Sequence, residues 1–403
     1  MRLKIKNIIL TFFLVMICAN IATISAQEVE IKDYSFLNTK ADTLVLYGQS
    51  QRLFEMLGLK FQKLIKFGNS QINIMHIGDS HLQADLYTGE TRKNFQSFLY
   101  GLDGSRGMVA PYVKAAPYSY NITFSSSWQN SNILHNSTNQ GLWGTTAYTN
   151  AKENTIDIDV NGKNPIKYDF NTIRIYHSEL GQGDNIFLDI ETAYQKIYHH
   201  DKGYTEFILA DYLQKVKIVI NKLSNETFYL YGFYFNNDNP GVNYNITGTN
   251  GVTASNYLNA DKFFTQLETI PTDLIIISLG TNDTYEAGGE NTFEANLNKF
   301  VTQIRQTKGD VPILLTTPIE CYHHKHQINP RQAQTVDIIN NVAKNNSCAY
   351  LDMYRVFGGK GSADKLFRKK LMQNDKVHLT AKGYQLQGDL LFNALWNNIE
   401  KNL

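Results

Sequence analysis

Charge of one sign is what this sequence most clearly lacks. Its 38 Lys and Arg residues face 37 Asp and Glu residues, so the formal net charge is only +1 at pH 7. Domains that bind nucleic acids carry clustered positive charge, and this composition does not have that profile. We therefore expect no nucleic-acid partner. With 403 residues the chain is too long for one ordinary core, and about two domains are expected.

Long apolar runs are equally scarce, and the run at the N-terminus is short. Basic residues at positions 2, 4 and 6 precede an apolar run from Ile8 to Ile17, and small or polar residues then lead to Ala26. This pattern is typical of a secretory signal peptide over residues 1–26. A membrane anchor, the alternative, would need about 20 apolar residues. No later run is long enough, so we expect an exported protein, periplasmic or associated with a bacterial cell envelope, without a transmembrane segment.

Cysteine is also rare. Cys18 lies in the predicted leader, and a lipoprotein lipidated at Cys18 is an alternative, but the preceding residues 15–17 lack the expected small side chain. Cys321 and Cys348 remain after cleavage, and an oxidising compartment would permit them to pair. We favour the other interpretation, two buried free thiols.

Strands and helices alternate in two separate parts of the chain. A helical pattern before position 65 is followed by a strand at Ile72–Ile77 and a second helix from about Leu82 to Leu99. Later strands are predicted at 274–279, 311–316 and 348–351, with helical stretches between them. The last helix would begin near Thr380, a good N-cap residue. This alternation predicts a parallel sheet with helices on both faces.

The middle of the chain has a different pattern. Between about Ala115 and Asn237, short alternating runs are separated by Gly, Asn and Asp, which predicts an antiparallel β-sandwich or jelly roll. The predicted organisation is a signal peptide (1–26), an α/β domain in two parts (27–114 and 241–403) and an inserted β-sandwich domain (115–240). Six aromatic residues of the insertion could stack on sugar rings, although most are expected in its core: Trp128, Trp143, Tyr176, Tyr194, Tyr198 and Tyr204.

Three short motifs lie at the ends of predicted elements. In Gly78-Asp79-Ser80, the serine follows a strand of the parallel sheet, and ligands of such sheets bind at that end. Asn282 follows a later strand, where its amide could donate to the oxyanion that forms when an acyl carbonyl is attacked. Asp375 and His378 lie in one loop, where the carboxylate can orient the imidazole and the imidazole can accept a serine proton. Each motif alone could be a turn or a cap, but together and in this order they indicate a serine esterase.

This order of motifs resembles the SGNH (GDSL-like) hydrolase superfamily. The resemblance implies a flavodoxin-like three-layer α/β/α fold, with Ser80 as nucleophile and with Asp375 and His378 as its base. It also implies an oxyanion hole formed by the Ser80 N–H, a glycine N–H and the Asn282 amide. We assign the glycine to Gly251, the second of a Gly-x-x-Gly pair, and Gly248 remains the alternative. No cofactor and no metal ion is required.

The run from Gly78 to Asp85 (GDSHLQAD) further resembles secreted bacterial peptidoglycan O-acetylesterases. In those enzymes a carbohydrate-binding-like β module interrupts the hydrolase domain between the serine and glycine blocks, where residues 115–240 lie here. The resemblance implies an O-acetylated glycan as substrate, peptidoglycan first and a xylan-like or capsular polysaccharide second. An O-acyltransferase with the same site and an inactive glycan-binding protein are the other open alternatives.

Three remaining features are expected to have no catalytic role. His323, His324 and His326 lack the carboxylate or cysteine framework of zinc motifs, so we expect a solvated loop, close to the active-site mouth. His81 directly follows the nucleophile and cannot easily reach round to act as its base. The glycines between 101 and 107 do not follow a strand and open a helix, so a turn is expected there.

Overall fold

The computed structural model describes residues 28–98, 101–114, 117–163 and 166–403. The predicted signal peptide lies outside these ranges. The helices are α1 (Ser50–Phe67), α2 (Ser80–Gln83), α3 (Tyr87–Ser97), α4 (Ala254–Asn259), α5 (Phe263–Thr269), α6 (Glu290–Lys308), α7 (Gln332–Asn345), α8 (Met353–Val356), α9 (Ser362–Arg368) and α10 (Ala381–Glu400). Short 3-10 helices lie at Thr39–Ala41 and His200–Lys202.

The strands, in chain order, are β1 (Val45–Leu46), β2 (Gln71–Gly78), β3 (Gly107–Val109), β4 (Asn121–Phe124), β5 (Gln129–Asn132), β6 (Thr145–Thr149), β7 (Glu153–Asp159), β8 (Phe170–His177), β9 (Asn185–Leu188), β10 (Tyr194–His199), β11 (Tyr204–Leu213), β12 (Lys215–Asn221), β13 (Phe228–Asn236), β14 (Gly241–Gly248), β15 (Leu274–Ser278), β16 (Ile313–Thr316), β17 (Tyr322–His323), β18 (Gln327–Ile328) and β19 (Ala349–Leu351).

The central sheet has the order β1-β19-β16-β15-β2-β14. All its neighbours are parallel except the edge strand β1, which pairs antiparallel with β19. Numbered along the chain, the parallel strands have the order 2-1-3-4-5 of flavodoxin-like sheets, whose ligands bind outside the carboxyl ends of the strands where the winding reverses. Here the winding reverses at β2, whose last residue, Gly78, lies between Gly248 of β14 and Ser278 of β15.

Both faces of the central sheet are covered. Ile72 and Ile74 of β2 belong to a core that includes α1 and α10, whereas Met75 and Ile77 belong to a second core that includes α5 and α6. Successive residues of a strand face opposite sides, so a continuous apolar strand must be buried twice. The predicted α/β fold with helices on both faces of a parallel sheet is confirmed.

Helix α1 shows how the sequence pattern produces this layering. Its apolar residues recur at spacings of three and four, and Phe54, Leu57, Phe61 and Leu64 are all buried. The helix ends at Gly68, whose φ of 59° is in the left-handed region that glycine adopts without strain. The buried stripe therefore packs the helix on the sheet, and the glycine turns the chain back into β2.

The middle of the chain forms two antiparallel sheets. One contains β10-β11-β8-β13-β6-β5 with β3 beside β13, and the other contains β4-β7-β12-β9. Side chains of both sheets share one apolar core, for example Ile173 and Phe233 from the first sheet and Ile156 and Ile218 from the second. The opposite face of the larger sheet packs on the second core of the α/β part, through Tyr176 and other aromatic residues.

The predictions about the two cysteines and the six aromatic side chains can be compared with the structure. Cys321 and Cys348 are buried free thiols, as expected. Trp128, Trp143, Tyr176 and Tyr204 are buried, while Tyr194 and Tyr198 are partly exposed. In the part of the chain that the structure describes, no helix has an apolar stretch long enough to cross a membrane.

A buried ion pair fixes the segment that follows α2. The Asp85 carboxylate accepts two hydrogen bonds from Arg92, both at 2.9 Å, and Arg106 approaches it to 3.6 Å. Arg92 Nε also donates to the carbonyl of Tyr244 in β14 at 3.1 Å. Burial alone would raise the pKa of Asp85, but the two guanidinium groups outweigh it and hold the pKa below its ordinary value. The pair thus ties the chain after Ser80 to the neighbouring strand.

Removing the Arg92 guanidinium should substantially lower the free energy of unfolding. In Arg92→Leu the aliphatic volume is largely kept, but Asp85 loses its bidentate partner, and breaking a buried pair in this way costs about 3–5 kcal/mol. The free energy of unfolding in urea measures the loss. The matched control, Arg52→Leu at an exposed position of α1, should change it by less than about 0.5 kcal/mol. Equal losses in the two variants would contradict the role of the pair.

Candidate active site

Ser80 is the first residue of α2, immediately beyond the carboxyl end of β2. Asp79 caps the helix, because its carboxylate accepts a hydrogen bond from the His81 N–H at 3.0 Å. A side chain at position 78 would not fit, since a Cβ there would lie 2.8 Å from the Ser278 carbonyl. The tight turn presents the Ser80 side chain at the rim of the sheet, and its N–H is among the helix donors without an intrahelical acceptor.

The structure joins Ser80, His378 and Asp375 in one chain of hydrogen bonds. Ser80 Oγ lies 2.8 Å from His378 Nε2, and His378 Nδ1 lies 2.7 Å from Asp375 Oδ2. This is the geometry of a serine, a base and an acid that orients the base. Residues almost 300 positions apart in the sequence are thus brought within hydrogen-bonding distance.

The loop before α10 positions the acid and the base. Asp375 Oδ1 accepts hydrogen bonds from the N–H groups of Val377 and His378, both at 2.9 Å, so one carboxylate oxygen shapes the loop while the other holds the imidazole. Burial opposes ionisation of Asp375, but these hydrogen bonds and the His378 ring hold its pKa below the ordinary value. Thr380 then caps α10 by accepting from the Gly383 N–H at 3.3 Å, as the sequence predicts. An ionised Asp375 can stabilise a protonated His378.

Asn282 lies on the neighbouring loop, after β15. Its side-chain amide donates to the carbonyl of Val252 at 2.9 Å, which ties it to the loop that carries Gly251 rather than to Ser80. The next residue, Asp283, accepts from the Ala254 N–H at 2.8 Å and the Gly280 N–H at 3.2 Å. The two side chains hold the loops after β14 and β15 against each other.

The two candidate glycines occupy different positions. Gly248 ends β14, and a Cβ there would lie 2.7 Å from both the Asp79 carbonyl and Leu82 Cβ, so Gly248 packs against the serine turn. Gly251 lies in the following turn with a φ of 79°. On one side of it the Asn250 N–H donates to Gln83 Oε1 at 2.6 Å, and on the other side Val252 accepts from Asn282. Gly251 is therefore held between the Ser80 helix and Asn282.

Comparison with known proteins agrees with this site. Residues 227–386 match the model of the GDSL-like lipase/acylhydrolase family, a region that contains Asn282, Asp375 and His378. The chain carries a GDSL-like acylhydrolase domain. This match supports a carboxylic ester hydrolase. Ser80 lies before the matched region.

Among the solved structures that resemble this chain, one shares the fold over nearly its whole length. A structure described as a peptidoglycan O-acetylesterase superposes with a TM-score of 0.72 at 20% identity, over 89% of this chain and 99% of that one. A lipase/acylhydrolase from Enterococcus faecalis shows 21% identity over 38% of this chain and 74% of that one, with a TM-score of 0.30. An acetyl xylan esterase shows 17% identity over 38% of this chain and 81% of that one, with a TM-score of 0.32. No curated protein sequence matches significantly.

A cavity of about 380 Å³ opens at the Ser80 side chain. It is lined by Ser80, Gln83, Ala84, Leu86, Pro117, Tyr118 and Asn250. A larger cavity of about 980 Å³ lies between α5 and the seven-stranded sheet, but none of Ser80, Asp375 and His378 lines it. Because attack on an acyl group requires a nucleophile, the smaller cavity, which Ser80 lines, is the candidate binding site for the acyl group.

Sequence reasoning missed two residues at this site and a third outside it. Gln83 and Tyr118 line the cavity, and Gln83 also fixes the Gly251 loop. Glu286 lies beside His323 and His324, whose Nε2 atoms are each 3.3 Å from one of its two carboxylate oxygens. Gln83 was visible within the GDSHLQAD run, but nothing in the sequence marks Tyr118 or Glu286, which meet these neighbours only through the fold.

His81 lies close to the base without taking its place. Its Nδ1 is 2.9 Å from the Tyr384 hydroxyl, and its ring centroid is 5.2 Å from that of His378. Burial lowers the pKa of His81 and outweighs the nearby Asp79 carboxylate. The neutral His81 ring is hydrogen-bonded to Tyr384 and packs beside His378, while Ser80 is hydrogen-bonded to His378.

The pH dependence of stability should report on Asp283. Burial, with a smaller contribution from Asp79, raises the pKa of Asp283 to about 7, against about 3.9 for an ordinary aspartate. The folded protein then binds this proton more tightly than the unfolded chain, so the stabilisation is present below about pH 4 and is lost as pH rises through about 7. In Asp283→Asn the fall in melting temperature over this window should be smaller than in wild type. Asp310→Asn, at an exposed position, should keep the wild-type slope, and an unchanged slope in Asp283→Asn would show the assignment to be wrong.

Proposed function

We propose that this chain is an exported serine esterase that removes O-acetyl groups from a glycan, with peptidoglycan as the preferred polymer. The observation that carries the proposal is the hydrogen-bonded chain from Ser80 through His378 to Asp375 at the mouth of an open cavity. A serine hydroxyl becomes an effective nucleophile when a base beside it takes its proton.

In the proposed reaction, Ser80 Oγ attacks the acetyl carbonyl while His378 Nε2 takes the hydroxyl proton. The ester C–O bond then breaks, and the imidazolium returns that proton to the departing sugar oxygen. Water, deprotonated by the same imidazole, cleaves the acetyl-enzyme to acetate and restores Ser80. Asp375 remains ionised throughout and orients the ring.

The negative oxygen of the tetrahedral intermediate would lie among the Ser80 N–H, the Gly251 N–H and the Asn282 amide. Two contacts support Gly251 over Gly248. Gln83 links the Gly251 turn to the Ser80 helix, and the Asn282 amide reaches the same turn at Val252. Gly248 instead lies within β14, where its lack of a side chain gives room to the serine turn.

Hydrolysis is favoured over acyl transfer by the exposure of the site. The side chains of His378 and Asp375 are 32% and 35% exposed. An acyltransferase must keep water away from its acyl-enzyme, and a base exposed to this extent meets water readily. The intact hydrogen bonds from Ser80 to Asp375 equally favour an active enzyme over an inactive glycan-binding protein.

One further observation and one inference support an acetylated cell-wall glycan as substrate. The fold similarity to the peptidoglycan O-acetylesterase extends over nearly all of that protein. We also infer that the two antiparallel sheets form an inserted β-sandwich domain of carbohydrate-binding type, over about residues 115–240. Cleavage near Ala26 would export the mature enzyme to the cell envelope, where peptidoglycan is located.

Tyr118 is the residue through which the insertion would contact the sugar. Its backbone carbonyl accepts from the Lys163 N–H at 2.9 Å, within the insertion, while its side chain lines the Ser80 cavity. On α3, a Cβ at Gly89 would lie 2.8 Å from the Tyr118 hydroxyl. The ring therefore spans from the insertion to the hydrolase domain beside the nucleophile, where a flat aromatic face suits a sugar ring.

Replacing the nucleophile tests the catalytic assignment. Ser80→Ala should lower the rate of acetate release by about 10⁴-fold or more, because removal of a catalytic serine leaves only binding and oxyanion contacts. Acetate released from O-acetylated peptidoglycan and from acetylated xylan, compared for wild type and Ser80→Ala, measures both activity and preference. Circular dichroism should show the fold unchanged. Retained activity in a folded Ser80→Ala protein would refute the mechanism, and faster release from xylan would overturn the choice of polymer.

Replacing Tyr118 tests the proposed sugar contact. In Tyr118→Ala, kcat/KM for acetylated glycan should fall by up to about tenfold, because an aromatic contact contributes about 0.5–1.5 kcal/mol. For a small aryl acetate, which reaches Ser80 without the ring, the change should stay within about twofold. Tyr212→Ala, at a position 49% exposed on β11, serves as the matched control for both substrates. Equal losses on both substrates would contradict a role in sugar recognition.

A further inference from the structure

The hairpin of β17 and β18 brings two of its histidines to one carboxylate. His323 Nε2 lies 3.3 Å from Glu286 Oε2, and His324 Nε2 lies 3.3 Å from Glu286 Oε1. One possible ligand atom from each residue lies within 4.8 Å of the other two. The carboxylate that the sequence motif lacks is thus supplied by the loop after β15.

We propose that Glu286, His323 and His324 form a binding site for a divalent transition-metal ion, with Zn²⁺ as the representative ion. Zinc bonds to histidine nitrogen and carboxylate oxygen are about 2.0–2.2 Å long, so tetrahedral ligand atoms lie about 3.3–3.5 Å apart. Each histidine nitrogen lies at about that separation from one oxygen of Glu286, and the two nitrogens face different oxygens of the carboxylate. Two imidazoles and one carboxylate suit zinc, nickel or copper, whereas magnesium and calcium prefer oxygen ligands.

The exposure of the three side chains suits an ion that enters from solvent. His323 is 17% exposed, His324 60% and Glu286 66%. Water can therefore complete the coordination shell opposite the three protein ligands.

The backbone holds both histidines in place. The Tyr285 hydroxyl accepts a hydrogen bond from the His324 N–H at 2.8 Å, and the Tyr285 ring lies 4.9 Å from the His323 ring, centroid to centroid. At the tip, His324 and Lys325 have φ values of 50° and 66°, which close the turn. The two ligands are thus ordered by contacts that require no ion.

The site joins two loops of the catalytic machinery. On one side, the Tyr322 N–H donates to the Lys376 carbonyl at 2.8 Å, within the loop of Asp375 and His378. On the other side, Glu286 lies four residues beyond Asn282. An ion shared by the hairpin and Glu286 would brace the loop of the base against the loop of the oxyanion donor.

Zinc binding to the mature full-length chain, without a histidine tag, tests the proposal by titration calorimetry. We expect wild type to bind one equivalent of ZnCl₂. In Glu286→Gln and in His323→Ala the Kd for zinc should rise by at least about tenfold, because loss of a residue that only hydrogen-bonds to a metal ligand already weakens metal binding by about 10–100-fold. His326→Ala is the matched control, from the same turn but outside the cluster, and should bind as wild type does. Excess zinc should raise the melting temperature of wild type more than that of Glu286→Gln.

Two results would overturn the assignment. One is a Kd for zinc in Glu286→Gln and in His323→Ala that equals the Kd of wild type. The other is a loss of zinc affinity in His326→Ala as large as that in His323→Ala. Whether the ion braces the two loops is tested separately, by comparing the rate of acetate release in zinc with the rate in EDTA. The ratio of the two rates should exceed about twofold in wild type and approach one in Glu286→Gln, as expected when an ion acts only by stabilising one arrangement of the loops. The same ratio in both proteins would show that the ion does not act through this hairpin.

Discussion

The close approach of three parallel strands at one edge of the sheet is the constraint on which the site depends. Gly78 lies in register between Gly248 and Ser278, so the chain leaves all three strands at the same level. The loops that follow carry Ser80, Gly251 and Asn282. Because neither Gly78 nor Gly248 has room for a side chain, the serine turn can lie directly on the neighbouring strands.

Beneath this edge, a line of buried and half-buried polar side chains crosses the sheet. His76 lies 2.8 Å from the Tyr244 hydroxyl and 2.7 Å from Ser278 Oγ, which is in turn 2.7 Å from Thr316 Oγ1. These residues belong to β14, β2, β15 and β16, which are neighbours in the sheet. Burial lowers the pKa of His76 to about 3, so its ring is neutral and can both donate and accept. A fully paired polar line of this kind fixes the relative positions of the strands more tightly than apolar packing alone.

The sequence predicts the parts of this protein that depend on local patterns. The parallel strands, the helices and the cap at Thr380 follow from periodicity and capping residues, and Ser80, Asp375 and His378 lie at the ends of elements where catalytic residues are expected. Contacts that depend on the whole fold were not predictable. Glu286 is an ordinary residue of a turn, and only the packing of the hairpin places two histidines against it. Asp85 belongs to the GDSHLQAD motif. Nothing in the sequence marks its partner Arg92, which meets Asp85 only when α3 packs on β14.

The packing of the insertion also limits where a glycan can bind. Tyr176 of the larger antiparallel sheet and Trp143, just before β6, are buried in the same core as Tyr257 of α4 and Phe263 of α5. Aromatic faces used in this way hold the two parts of the chain together and are closed to sugar rings. In the proposed function, the insertion contributes to recognition where it meets the nucleophile, because Pro117 and Tyr118 lie there, in the wall of the Ser80 cavity. The β-rich part would then contact the substrate through its junction with the α/β part, and the buried aromatic face of the larger sheet would set the orientation of that junction.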